Sequence, residues 1–208
     1  MPTDTPLEQC DRPARGRPRS ADSEHAIIQA ALDLLAEGTD LGAISINAIA
    51  ARAGVGKNTV YRRWPNKDAL LVDAVASLNP PIPEPDRESV RENLILLLSV
   101  LVTRLQDTRA TSILNGMMAA GRDYPQLRER YYSDVLEPRR EVTRQVIRAG
   151  LASGELRSGL DPETIANLLT GPLICRSIEG STPEGVPEEI AAEVVDVILY
   201  GISSNRPS

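Results

Sequence analysis

Four prolines fall within the eight residues 79–86 (NPPIPEPD), and no helix or central strand can run through them. The chain must therefore organise itself as something before this stretch and something after it. On both sides the apolar residues recur at helical spacing, and no segment alternates with the period of two that a half-buried strand needs. Composition supports the same conclusion. Phenylalanine is absent and aromatics make up 3% of the 208 residues, so the core is built from Leu, Ile, Val and Ala. The expectation is an all-α protein with a basic, disordered arm at 1–19, a helical unit at 20–78, a stiff linker at 79–86 and a second helical unit at 87–208.

Before the linker, Ser20 is expected to cap a first helix, with Asp22 and Glu24 in its first turn and Gly38 as its stop. Ile27, Ala31, Leu34 and Leu35 form its inward stripe. Ser45 caps a second helix, which buries Ile46, Ile49 and Ala50 and ends at Gly54. A third, short helix opens at Gly56, and Pro65 closes it. Asn66 then caps a fourth helix reaching about Leu78. After the linker, helices are expected over 87–107, 111–120, 126–153 (kinked at Pro138), 162–178 and 187–203. Asp161 and Pro162 supply the cap and first position of the penultimate helix.

Charge is distributed unevenly. The formal net charge is -6, yet residues 12–19 hold four arginines and residues 45–67 hold five basic residues, both without an acid. The only two lysines of the chain, Lys57 and Lys67, lie in the second stretch. A helix, a glycine turn and a short cationic helix are what a helix–turn–helix needs to lay its second helix in the major groove. A small residue, Gly56, lets the backbone approach. Lys57 and Asn58 sit on the first turn, Thr59 and Tyr61 add hydroxyls, and Arg52, Arg62, Arg63 and Lys67 surround them. Lys67 also stands where the next helix's dipole favours an anion.

The spacing Ile27-Ile28-x-Ala30-Ala31-Leu32-x-Leu34-Leu35-x-x-Gly38, then Ser45-x-x-x-Ile49-Ala50-x-x-Ala53-Gly54-Val55-Gly56-Lys57-Asn58-Thr59-Val60-Tyr61 and Trp64-Pro65-x-Lys67-x-x-Leu70, resembles the DNA-binding domain of the tetracycline-repressor family. The likeness covers roughly residues 20–75. It implies that Ser45, Thr59, Tyr61 and Lys67 hold phosphates, that Lys57 and Asn58 face base edges, and that Arg62 reaches the DNA backbone. Trp64 stands where the family usually has phenylalanine, which implies a core role. Gly56 replaces a frequent serine and cannot cap through a side chain. Asn58 replaces a small residue and has the donor–acceptor pair that reads adenine. Base reading and a passive surface role both stay open for it.

The resemblance also implies a homodimer paired through its last two helices, with a small-molecule effector among the middle ones. Residues able to pair two copies are Leu168, Ile174, Ile178, Ile190, Val194, Val195, Val197 and Ile198, with Ala191, Leu169 and Ile202 beside them. Candidates to line an effector cavity are Leu101, Leu105, Leu114, Met117, Met118, Tyr131 and Leu169. Their composition suggests an apolar effector. The function implied is a DNA-binding transcriptional regulator, a repressor released from a palindromic operator. The alternative is an architectural protein using Arg15, Arg17 and Arg19, because RGRPR resembles the minor-groove core of AT-hook peptides.

Other classes find little support. There is no Gly-rich phosphate loop, nucleophile elbow or Cys/His metal spacing, so neither an enzyme nor a cofactor or metal is expected. The lone His25 reads as a surface residue and Cys175 as a buried one. Cys10 and Cys175 do not form a disulfide framework, and the longest apolar run, 94–98, cannot span a bilayer. The expected location is the cytoplasm.

Overall fold

A computed structural model describes residues 18–201, with side chains from residue 21 onward. Arg15, Arg17, Cys10 and Ile202 lie outside the described residues, as does the side chain of Arg19. Every regular element among the described residues is helical: α1 (Pro18–Ala36), α2 (Ile46–Arg52), α3 (Lys57–Tyr61), α4 (Lys67–Ala76), α5 (Val90–Gln106), α6 (Thr108–Ala120), α7 (Pro125–Tyr131), α8 (Glu137–Ser153), α9 (Pro162–Ile178) and α10 (Pro187–Tyr200).

The caps fall where short polar side chains precede apolar runs. Ser45 Oγ accepts the Ala48 N–H at 3.1 Å and Asn66 Oδ1 that of Ala69 at 2.8 Å. Asp161 accepts from Thr164 at 3.0 Å. The first helix differs from expectation. It begins at Pro18, so Ser20 lies inside it and Asp22 and Glu24 fall beyond its first turn.

The expected kink at Pro138 takes a specific form. A π-helical turn, Tyr132–Leu136, joins α7 to α8, and the Glu137 N–H reaches back to the Tyr132 carbonyl. Pro138 lacks the N–H that an α-helix would use here, and the widened turn immediately before it absorbs the mismatch.

Two clusters fill the interior. The first gathers α1–α4 with Ile113, Leu114 and Met117 of α6, Leu127 and Tyr131 of α7, and Val135 of the π turn. The second is built from α5, α8, α9 and α10, and Leu94, Val102, Ile147, Leu169, Ala191 and Val195 are among its most buried members. Helices after the proline-rich segment thus share one core with helices before it. The residue that follows that segment is tied down: Asn93, buried in α5, exchanges hydrogen bonds of 3.0 Å with the backbone N–H and carbonyl of Arg87.

Ion pairs sew the outer surfaces. Arg91 holds Asp196 bidentately at 2.6 and 2.8 Å, joining α5 to α10. Arg144 of α8 contacts Glu137, Glu141 at 3.0 Å and Glu163 of α9 at 2.9 Å. Cys175, expected in the interior, is exposed on α9, with its thiol 3.7 Å from Glu179. The helix is apolar on more than one side, and the flank bearing Cys175 is not the one facing the core.

Candidate nucleic-acid interface

The helix–turn–helix is assembled from short-range causes. Ile46, Ile49 and Ala50 bury the inner face of α2. Gly54 turns the chain at φ 66°, a left-handed conformation that glycine adopts without a Cβ clash. The Val55 N–H then closes onto the Ala50 carbonyl at 3.0 Å. Gly56 caps α3 with backbone only, in an extended conformation. Val60, fully buried, is the single residue that anchors this five-residue helix to the core.

With Val60 inward, Lys57, Asn58, Tyr61 and Arg62 face outward together, and Thr59 is half-buried beside them. Neither Lys57 nor Arg62 has a carboxylate partner among the described residues. Other cations of the acid-free stretch are engaged by groups distant in sequence. Arg52 donates to both carboxylate oxygens of Glu37, at 2.6 and 3.1 Å, and this holds the Glu37 carboxyl below its ordinary range. Arg63 pairs with Glu24 at 3.3 Å. Lys67 Nζ donates to the Leu41 carbonyl at 2.7 Å and lies 5.8 Å from the Tyr124 ring centre. Ser45 is exposed, though its hydroxyl already serves its own helix. Trp64 is buried, and its indole N–H donates to Asp73 at 2.7 Å. Sequence reasoning missed Glu37 and Glu24, since a local pattern carries no signal for pairs separated by 15 or 39 residues.

A cavity of about 510 Å³ lies among α5, α6, α8 and α9. Leu101, Leu105, Leu114, Met118, Tyr131 and Leu169 line it, but Met117 does not. Its side chain points the other way, into the first core cluster, because adjacent residues on a helix are about 100° apart. The lining also takes in Asn79, Pro80, Arg104 and Arg139, which the sequence reading did not single out.

Residues 27–74 match the family model for bacterial regulatory proteins of the tetR family, and residues 84–198 match that for the tetracyclin repressor-like C-terminal domain. The chain belongs to the TetR family. It is a helix–turn–helix transcriptional regulator of DNA-binding type. Relatives match it over most of its length. It is 34% identical over 164 residues to the uncharacterized regulator YdeS of Bacillus subtilis (strain 168), covering 78% of this chain and 81% of that one. It is 30% identical over 195 residues to the uncharacterized regulator Rv1556 of Mycobacterium tuberculosis, covering 93% and 94%. The fold matches that of the regulator FadR from Bacillus subtilis, solved in complex with stearoyl-CoA, with TM-score 0.68 and 19% identity over 86% of this chain and 99% of that one. Matches that run through both halves of the chain do not favour the architectural reading.

The residues of this TetR-family chain expected to pair two copies differ in exposure. Leu168 (54% exposed), Ile174, Ile178 (68%) and Val197 (45%) stand open on α9 and α10. Ile190, Val194 and Ile198 are half-buried against the second core cluster. Val195 is a correction: like Ala191 it is fully buried and faces its own core, where α10 packs on α5. His25 is exposed, as expected. No helix among the described residues is long and apolar enough to cross a membrane, and no group of three or more His, Cys, Asp or Glu side chains among them is placed to hold a metal ion.

Proposed function

We propose that this regulator is a homodimeric repressor that binds a palindromic operator through α3 and is released when a small molecule with an apolar body fills the cavity. In this reading residues 20–78 form the DNA-binding domain, 79–86 the linker, and 87–208 the effector and pairing domain. Lys57 and Asn58 meet base edges; Tyr61, Thr59 and Arg62 grip phosphates, with Ser45, Arg52 and Lys67 flanking them.

One observation carries the proposal: the cavity wall is shared with the two surfaces that must respond. Leu114 and Tyr131 line the cavity and also belong to the cluster that packs α1–α4. Asn79, just past the end of α4, lines it too, and its amide donates to the Val75 carbonyl of that helix at 3.2 Å. The other end of α4 begins at Lys67, beside the helix–turn–helix. A ten-residue helix is a rod of about 15 Å, so a shift at Asn79 is delivered to the DNA-facing end. On the opposite side Ile174 and Ile178 line the cavity and are exposed where a second copy would pack.

Release requires the ligand to bind the DNA-incompetent arrangement better than the competent one. Transcription in vitro from a promoter carrying the protein's selected site tests this. The protein lowers transcript yield, and a cavity ligand restores it. Unchanged or raised transcription with the site occupied would overturn the repressor assignment.

A further inference from the structure

The cavity has an unusual charge balance. Its wall carries three arginines and no Asp or Glu among the described residues, although the chain as a whole is acidic. Arg140 is accounted for, since it donates to Glu163 and, at 2.9 Å, to Asn167. Among the described residues neither Arg104 nor Arg139 has a carboxylate partner. Arg139 donates to the Pro80 carbonyl, a neutral acceptor that leaves its charge uncompensated. Arg104, half-buried in the last turn of α5, has the Tyr131 hydroxyl and the Arg139 guanidinium as its titratable neighbours among the described residues. Charges taken out of water are ordinarily paired, because the desolvation cost is otherwise unrecovered. Burial accordingly pulls both guanidinium groups below their ordinary range, and Arg139 lowers Arg104 further by like-charge repulsion. Beside them burial raises the Tyr131 hydroxyl above its usual range, so it stays protonated while it takes part in a hydrogen bond with Asn79.

We infer that the cavity selects an organic anion: an acidic head group held between Arg104 and Arg139, with an apolar body lying along Leu97, Leu101 and Leu105. The inference rests on the effector reading above and narrows it from any apolar molecule to an amphipathic acid. A planar guanidinium matches carboxylate or phosphate oxygens bidentately, and two of them on an otherwise largely apolar cavity wall call for a ligand with one charged end. About 510 Å³ is within the usual range for small-molecule sites. The anion supplies the missing countercharge, so binding relieves a repulsion that the empty protein carries.

Calorimetric titration of the full-length protein without DNA tests this with four probes of one chain length: decanoate, decyl phosphate, decanol and decylammonium. The anions should bind about 10- to 100-fold more tightly than decanol, the range of charge-assisted hydrogen bonds, and decylammonium most weakly. Which anion binds better separates a carboxylate from a phosphate head group. Arg104→Gln and, independently, Arg139→Gln should collapse the anion-to-alcohol ratio toward one, and Arg104→Lys should restore part of it. A ratio measured within one variant does not move when the variant is merely less stable. Equal affinity for decanoate and decanol in the parent protein, or no binding of any probe, would overturn the inference. If decanoate binds with the predicted selectivity but leaves DNA affinity unchanged, the site stands and only the release mechanism fails.

Discussion

Arg62 follows α3 with ordinary helical backbone angles (φ -65°, ψ -24°), and its side chain is exposed without a carboxylate partner among the described residues, so Arg62→Ala removes a charge and little else. In a dimer the substitution removes two phosphate-gripping cations. Each phosphate neutralised contributes about 0.9 to the slope of log K against log salt, so the slope should become shallower by about 1.8. Raising salt fourfold, from about 50 to 200 mM, should then cost the parent protein about twelvefold more affinity than it costs the variant. Fluorescence anisotropy on a labelled duplex at four or five salt concentrations gives both slopes. Arg52→Gln is the internal comparison. Glu37 already neutralises Arg52, so its loss should leave the slope nearly unchanged even if affinity declines. Equal slopes for Arg62→Ala and the parent protein, or a larger change for Arg52→Gln, would refute the assignment of charge across this face.

Other outcomes follow from the same geometry. Val60→Ala deletes buried volume from the only anchor of α3 and should destabilise the protein by about 2 kcal/mol in urea unfolding while weakening DNA binding. Ile178→Glu places a charge on the most exposed apolar residue of α9 and should shift the dimer to monomer in sedimentation velocity, with helical circular dichroism unchanged. The Glu141 carboxyl is pushed down to about 2 by hydrogen bonds from Arg148 and Arg144. Its folded value is below its unfolded one, so its stabilisation is complete above about pH 4.5 and fades as pH falls toward 2. Glu163, lowered by Arg144 and Arg140, acts in the same direction. Arg144→Met should therefore flatten the fall of Tm with pH between about 5 and 2, as read by thermal melts. Leu101→Trp should fill the cavity, abolish ligand binding in calorimetry and leave operator affinity intact.

Much of this architecture is readable in the chain because its causes are local. Ser45, Asn66 and Asp161 cap where a short polar side chain precedes an apolar run, Gly54 takes the left-handed turn, and Trp64 enters the core between a glycine-opened helix and Pro65. What sequence cannot resolve is which side of a broadly apolar helix faces inward. Val195 and Val197 are two residues apart on α10, yet one is fully buried and the other 45% exposed. Met117 and Met118 divide similarly, one into the core and one into the cavity. The apolar helix around Cys175 suggests an interior position, whereas the residue lies on the outer flank of α9. Electrostatic partners are harder still. The Glu37 that occupies Arg52, the Leu41 carbonyl that holds Lys67, and the convergence of Arg104 and Arg139 on one cavity wall all depend on tertiary approach.

The most direct test of the central claim, that α3 reads DNA as one of a symmetric pair, is selection of bound duplexes from a random library at physiological salt, with the parent protein and with Asn58→Ala. The account predicts an enriched inverted repeat with half-sites about one helical turn, 34–36 Å, apart. Asn58→Ala should relax the base preference within each half-site and preserve the spacing. Enrichment of no motif, or of an asymmetric one indifferent to Asn58, would contradict it.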